Sequence, residues 1–387
     1  MKILFLEWDA FANNYIKNAM RKLGHEILVF DFPRRSEDTR RSEELAKKIT
    51  KKIFDCSADA LFSINYFPVA AVAAYACKIK YISWIYDSPY IQLYSKTIDL
   101  PTNLAFIFDK TEYLRLQKIG VSTVYYLPMA ADTDYYDSIT ISEKEKEFYS
   151  ADVAMIGSMY TEKKHDFMRH LKNIDEYTSG YLSGLMNAQK MIYGASILEN
   201  GITPQIMQNV RKVCPIEALG DGYETAEWVF SNYFLARQIT AMERTEYLEA
   251  LSKQFKVSLY TPEETYGLNV VNKGQVEYYK DAPKAIKCAK INLNITLRSI
   301  VSGIPLRAMD IMGCGGFLLT NYQADFDDYF VPGKDYQFFE SKQDLIEKTA
   351  YYLEHDDIRC EIAHNGYKKI KEAHTYIHRI KQILSMI

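Results

Sequence analysis

Short β-branched and aromatic runs alternate with helical stretches twice along this chain, and no other feature limits its folding more. The first series places strands at residues 3–8, 25–30, 60–64, 81–85, 104–108 and 124–127, with helices at 14–23, 43–54 and 68–77 among them. Runs this short suit the interior of a parallel sheet covered by helices on both faces. A second series opens at 152–156 and resumes at 257–260, 276–279, 291–295 and 317–320. At 387 residues the chain is long enough for two such domains with separate cores. The reading is α/β, with one Rossmann-like domain over 1–135 and a second over 150–375. The hinge falls across Pro128 to Asp134 and the polar stretch 138–147. Residues from about 163 to 240 lack strand runs and read as a helical insertion, followed by a regular helix over 241–254. Such insertions shape acceptor specificity, make oligomer contacts or merely elaborate the fold, so a homo-oligomer is among the expected assemblies. The tail reads as helices over 342–354, 357–373 and 376–386.

Composition narrows the function classes. Net charge is −3, which argues against an extended nucleic-acid surface. No run approaches the roughly eighteen uncharged apolar residues of a membrane helix. The opening Met1-Lys2-Ile3-Leu4-Phe5-Leu6-Glu7 reads as a strand rather than a secretion signal, so a cytoplasmic protein is expected. Six cysteines stand apart with no CxxC pair, which suits free thiols in a reducing compartment. The formal Asp132-Thr133-Asp134 lies in the hinge, the i,i+4 pair His374 and His378 lacks an evident third ligand, and no other carboxylate, Cys or His cluster has metal-site spacing. No metal and no cofactor are expected. Trp8-Asp9-Ala10-Phe11-Ala12 follows the first strand in place of GxGxxG, which disfavours a dinucleotide oxidoreductase.

Ligands of parallel sheets bind at the carboxyl ends of the strands. In the first domain those ends carry Trp8, Asp9, Asn13, Asn65, Asp87 and Asp109. Pro89 forces Ser88 out of the helical region, and the resulting turn can present the Asp87 carboxylate. In the second domain, Gly157-Ser158 follows a strand and can aim backbone N–H groups at a phosphate, with Lys163 adding charge. Tyr260 and the segment 276–279, with Tyr279, stand at strand ends as well.

The densest stretch is Ser302 to Tyr322, SGIPLRAMDIMGCGGFLLTNY. Arg307 precedes Asp310 by one helical turn, and Gly313, Gly315 and Gly316 precede a strand. An acid on a short helix accepts hydrogen bonds from sugar hydroxyls, an Arg neutralises a diphosphate, and a glycine turn frees N–H groups for phosphate oxygens. A buried helix–turn–strand joint with packing glycines is the other reading of the same residues.

This stretch resembles the donor-binding region of CgeB-like (spore maturation protein-type) GT-B glycosyltransferases, with a group 1 glycosyltransferase-like C-terminal domain. The resemblance extends to Ile291-Asn292-Leu293-Asn294-Ile295-Thr296-Leu297-Arg298, Phe62-Ser63-Ile64-Asn65-Tyr66-Phe67-Pro68 and Trp84-Ile85-Tyr86-Asp87-Ser88-Pro89. It implies a GT-B fold, with two Rossmann-like domains facing a cleft and a final helix, 376–387, crossing back to the first. It implies metal-independent transfer from a nucleotide-diphosphate sugar, UDP-sugar favoured, to a bacterial surface, spore, glycan or protein acceptor. Asp310, where the family more often has Glu, would hold the donor ribose. Gly157, Ser158, Tyr260, Tyr279 and the glycines 313, 315 and 316 would line the donor site. Arg307, Lys163 or Arg298 would neutralise the departing diphosphate. Trp8, Asn13, Asn65 and Asp87 would face the acceptor, with Asp87 or Asp9 as base if the reaction inverts. A non-catalytic sugar-nucleotide binder or scaffold and a sugar-nucleotide epimerase are the alternatives.

Overall fold

The computed structural model describes residues 1–161, 167–265 and 267–387. The chain forms two compact units. Unit 1 gathers residues 1–130, 218–224 and 374–387, and unit 2 gathers 131–217 and 225–373.

Unit 1 is built on six strands: β1 (Lys2–Glu7), β2 (Glu26–Asp31), β3 (Ala60–Ile64), β4 (Lys80–Ile85), β5 (Asn103–Ile107) and β6 (Val124–Tyr126). They lie in the order β2-β1-β3-β4-β5-β6, and every pairing is parallel. All residues of β3 and β5 are buried, which explains why they are apolar apart from Ser63 and Asn103. The edge strand β2 is half-exposed and carries Glu26 and Asp31. Helix Glu43–Cys56 starts where the Ser42 hydroxyl accepts the Leu45 N–H, and it buries Leu45, Ile49 and Ile53 along one face. Helix Pro68–Cys77 begins on a proline, whose missing N–H costs nothing at that position. The final helix, Tyr376–Leu384, belongs to this unit. Its Tyr376 ring lies 5.4 Å from that of Tyr15 and 6.0 Å from that of Trp84, and Arg379 donates to the Pro128 carbonyl.

Unit 2 has its own six parallel strands: β7 (Ala151–Ile156), β8 (Val257–Tyr260), β9 (Val271–Asn272), β10 (Ala289–Asn294), β11 (Leu318–Asn321) and β12 (Gln337–Phe339). Their order is β12-β11-β10-β7-β8-β9. Unit 2 departs from the sequence reading in several places. Residues 276–279 are not a strand. The Glu277 carboxylate accepts the Lys280 N–H and that of Asp281 accepts the Glu277 N–H, so local side chains replace a ladder partner. The sheet edge is taken instead by β9, and β12 adds a strand at the other edge. The helix expected over 241–254 spans Ala236–Ser252 and continues a π-helical turn, Phe230–Leu235. The stretch 138–147, read as hinge, contains most of helix Glu143–Tyr149, within unit 2.

The described part of the insertion is helical and has a core of its own, including Leu182, Met186, Ile206, Val210, Phe230 and Ile239. Seven of its residues, 218–224, leave this core and join unit 1. Gly222 forms an antiparallel bridge with Ser95, and Tyr223 N–H donates to the Tyr94 carbonyl. Arg40 donates to Asp221 at 2.6 Å and to Glu224 at 3.2 Å, while Arg41 donates to Asp221 at 2.8 Å. The Glu224 side chain is fully enclosed, so its charge depends on Arg40. Arg40→Ala should therefore destabilise unit 1 by about 3–5 kcal/mol in chemical unfolding, and Arg40→Met combined with Glu224→Leu should recover at least half of that loss.

Candidate functional site

At the carboxyl ends of β1, β3 and β4 the structure brings together Trp8, Asn13, Asn65 and Asp87. Asn65 leaves β3 with φ +63°, a left-handed conformation that asparagine tolerates better than most residues. From there its Oδ1 accepts the N–H groups of Tyr86 and Asp87, and its Nδ2 donates to Asp87 Oδ2 at 2.8 Å. Arg34 Nη2 donates to the same oxygen at 3.0 Å while its guanidinium lies 3.9 Å from the centre of the Trp8 ring. The Trp8 indole N–H in turn donates to the Ile64 carbonyl, and Asn13 Nδ2 to the Trp8 carbonyl. Asp87 Oδ1 takes no hydrogen bond among the described residues, and 46 % of the side chain is exposed. Desolvation by the surrounding protein holds the Asp87 pKa above the ordinary carboxylate value, against the pull of Arg34 and Asn65. Asp9 does not join this cluster; it pairs with Arg35 on the open surface.

In unit 2 the helix Leu306–Gly313 leaves the carboxyl end of β10 and returns the chain to the amino end of β11. Its first turn carries Arg307, and Asp310 follows three residues on. Asp310 is 2 % exposed. Its Oδ1 accepts the hydroxyls of Tyr136 at 2.8 Å and Tyr278 at 3.1 Å, and Oδ2 faces Arg307 Nη1 at 3.4 Å. Desolvation raises its pKa to about 6, against Arg307 and the two tyrosines. The preceding loop is fixed from several sides. Asn321 Oδ1 accepts the Thr296 N–H, and Gln323 Nε2 donates to the carbonyls of Ile300 and Gly303.

Arg298 in that loop is enclosed. Its guanidinium pairs with both oxygens of Glu243, donates to the carbonyls of Lys190 and Ile192, and covers the Tyr193 ring at 3.8 Å. These contacts make it a brace between loop and insertion rather than a group presented to a ligand. The glycine run sits at the amino end of β11, away from the strand ends where ligands bind, and the N–H groups of Gly315 and Gly316 already donate to Met312 and Ile311. A Cβ at Gly313 would come within 2.6 Å of the Ala131 methyl, one at Gly316 within 2.7 Å of Asn292 Nδ2, and Gly315 has φ +76°. Packing and backbone geometry thus account for all three. Tyr260 is a core residue whose hydroxyl donates to the Tyr149 carbonyl, and Tyr279 offers its carbonyl to Tyr135. Asp132 caps helix Thr133–Ser138 through the Tyr135 N–H. Lys163 lies outside the described residues.

The turn after β7 is more elaborate than its sequence suggests. Arg244, buried on helix Ala236–Ser252, donates to the carbonyls of Ser158 and Ile295, joining the carboxyl ends of β7 and β10. The Ser158 hydroxyl and the Met159 N–H both donate to Glu263. The guanidinium carbons of Arg237 and Arg244 lie 4.4 and 4.8 Å from the centre of the Tyr160 ring. Arg34, Tyr136, Tyr160, Arg237, Glu243, Arg244 and Glu263 did not stand out in the sequence, while Tyr278 lay in the segment 276–279 noted there as a strand end. Only the seven-residue spacing of Arg237 and Arg244, two helical turns on one face, was available as a signal.

Two parallel six-stranded sheets, each with polar groups at its carboxyl edge, define the architecture. The fold is GT-B. The chain superposes over its full length on HepE from Anabaena in complex with UDP-glucose, with TM-score 0.55, 11 % identity and 99 % of that chain covered. It also superposes over its full length on a glycosyltransferase from Rickettsia africae, with TM-score 0.54, 10 % identity and 97 % of that chain covered. Sucrose-phosphate synthase from Thermosynechococcus elongatus gives TM-score 0.54 at 8 % identity, covering all of this chain and 98 % of that one. Residues 237–385 match the model of a family described as glycosyl transferase-like. A comparison with curated proteins found no match. The enzyme class expected from the sequence, a GT-B glycosyltransferase, agrees with both the fold and the family match. No helix among the described residues is long and apolar enough to cross a membrane.

Asp310 makes unit 2 sensitive to pH. Its folded pKa of about 6 exceeds the unfolded value of 3.8, so the folded state binds the proton more tightly. Stability from this group is highest below pH ~4 and falls as pH rises through ~6, by roughly 3 kcal/mol in all. Comparing unfolding of the wild type and Asp310→Asn at pH 4.5 and 7.5 should show about 2 kcal/mol of this loss, in the wild type only.

Proposed function

We propose that the chain transfers a sugar from a UDP-sugar to a glycan, protein or bacterial surface acceptor, without a metal ion. The observation that carries this reading is the Arg307–Asp310 turn at the carboxyl edge of the unit 2 sheet. It lies inside the segment that matches the glycosyl transferase-like family. The neighbouring HepE structure holds UDP-glucose, which supports uracil as the donor base.

In this reaction the bond from the anomeric carbon to the diphosphate oxygen breaks, and a bond to the acceptor oxygen forms. Negative charge grows on the departing diphosphate. Arg307, whose side chain is 24 % exposed at the start of its helix, neutralises that charge where other enzymes use a divalent cation. Asp310 holds the Tyr136 and Tyr278 hydroxyls and accepts the donor ribose once a hydroxyl displaces one of them. In unit 1, Asp87 Oδ1 receives the acceptor hydroxyl. Arg34 and Asn65 fix the carboxylate so that this oxygen stays open. In an inverting displacement Asp87 takes the proton; in a retaining one it orients the hydroxyl, whose proton passes to the departing diphosphate oxygen.

UDP at a hundred times its Kd should raise the melting temperature by several degrees, equally with and without EDTA, and Arg307→Ala should remove most of the shift. A shift lost in EDTA would overturn the metal-independent reading, and no shift with any nucleoside diphosphate would favour a protein without turnover. Asp87→Asn should lower kcat by about a hundredfold or more while leaving UDP binding unchanged.

A further inference from the structure

The carboxylate of Glu263 sits where a ligand oxygen would be expected. It lies in the loop after β8 and accepts both the Ser158 hydroxyl and the Met159 N–H. These two donors belong to the turn at the carboxyl end of β7, in the middle of the unit 2 sheet. The same turn is otherwise prepared for negative charge. Tyr160 N–H donates to Ser158 Oγ at 3.0 Å, and Tyr160 holds φ +58°. Its ring gathers the guanidinium groups of Arg237 and Arg244. Arg244 has no carboxylate hydrogen-bonded to it among the described residues; its donors go to backbone carbonyls. Two cations therefore stand beside this turn, with Glu263 seated on its hydroxyl and N–H.

A diphosphate needs the same groups, and it cannot share them with a carboxylate. Two like charges held within hydrogen-bond range of one donor pair repel strongly in a partly desolvated site. We propose that Glu263 is a placeholder for the donor's diphosphate: it occupies the Ser158 hydroxyl and Met159 N–H in the free protein and swings away when the nucleotide enters. This inference rests on the donor reading above and adds to it a residue that sets affinity by competition. The exchange satisfies the turn in both states. Without a ligand, Glu263 keeps the Ser158 and Met159 donors paired, as partly enclosed polar groups require. With a ligand, phosphate oxygens take them over and Glu263 is released to solvent.

A residue that competes with a ligand behaves oppositely to one that binds it. Removing Glu263 should tighten the diphosphate, whereas removing a true ligand-binding group weakens it. The test is calorimetric titration of the full chain with UDP and with uridine, for the wild type, Glu263→Ala and Glu263→Gln. Glu263→Gln keeps the size and an acceptor oxygen, so it remains informative if Glu263→Ala does not fold. The expected result is a UDP Kd about tenfold lower in Glu263→Ala and severalfold lower in Glu263→Gln, with uridine affinity unchanged in both. If the wild type binds UDP and both variants bind it equally or more weakly, the placeholder is overturned and the donor reading stands. If UDP binds none of the three proteins, both readings fall. If uridine tightens as much as UDP, Glu263 acts on the base or ribose and the placeholder is again overturned.

Discussion

A buried arginine with carbonyl partners holds the middle of unit 2 in place. Parallel strands end with carbonyl groups that have no ladder partner, and Arg244 supplies donors to two of them, at Ser158 and Ile295. Burial lowers the Arg244 pKa, which shows how far its charge is removed from water. Neighbouring Glu243 fastens Arg298 in the loop after β10. Consecutive residues of one helix thus position the two loops that frame the strand ends. That helix continues from the insertion, so the insertion is part of the site's foundation rather than an appendage.

Unit 1 solves the same problem with a neutral residue. Asn65 adopts a left-handed backbone at the end of β3 and satisfies the N–H groups of Tyr86 and Asp87 with one oxygen. Its amide nitrogen then fixes Asp87 from the side. The two units share a plan in which a polar anchor completes the strand ends and leaves a nearby group oriented. They differ in charge: Asp87 is held by an amide and by the Arg34 guanidinium, whereas the ring of Tyr160 beside the β7 turn gathers two guanidinium groups.

The parallel sheets were legible because their central strands are apolar on both faces, as in β3 and β5, and because helix starts such as Pro68 are marked by residue type. Short edge strands were not. β9 has two residues, both exposed, and residues 276–279, with one valine and two tyrosines, imitated a strand while making local turns. Asn65 and Asp87 were visible because they follow a strand run directly. Glu263 and Arg244 were not, because their partners lie 51 to 105 residues away and no spacing rule connects them. The glycines before β11 were visible but ambiguous. Their N–H groups face Met312 and Ile311, a matter of helix termination that residue identity alone does not separate from anion binding.

The strap of residues 218–224 gives the chain a woven connectivity, with four passages between the units. Unit 1 is assembled from three separate stretches of sequence, and one of them is only seven residues long. Any fragment that stops near residue 130 lacks both Glu224, which satisfies Arg40, and the helix that carries Tyr376. The units are therefore distinct as bodies but not as genetic modules. Exchange of one half with a relative, a common route to new specificity in two-domain enzymes, would here have to carry the strap and the last helix along with the first 130 residues.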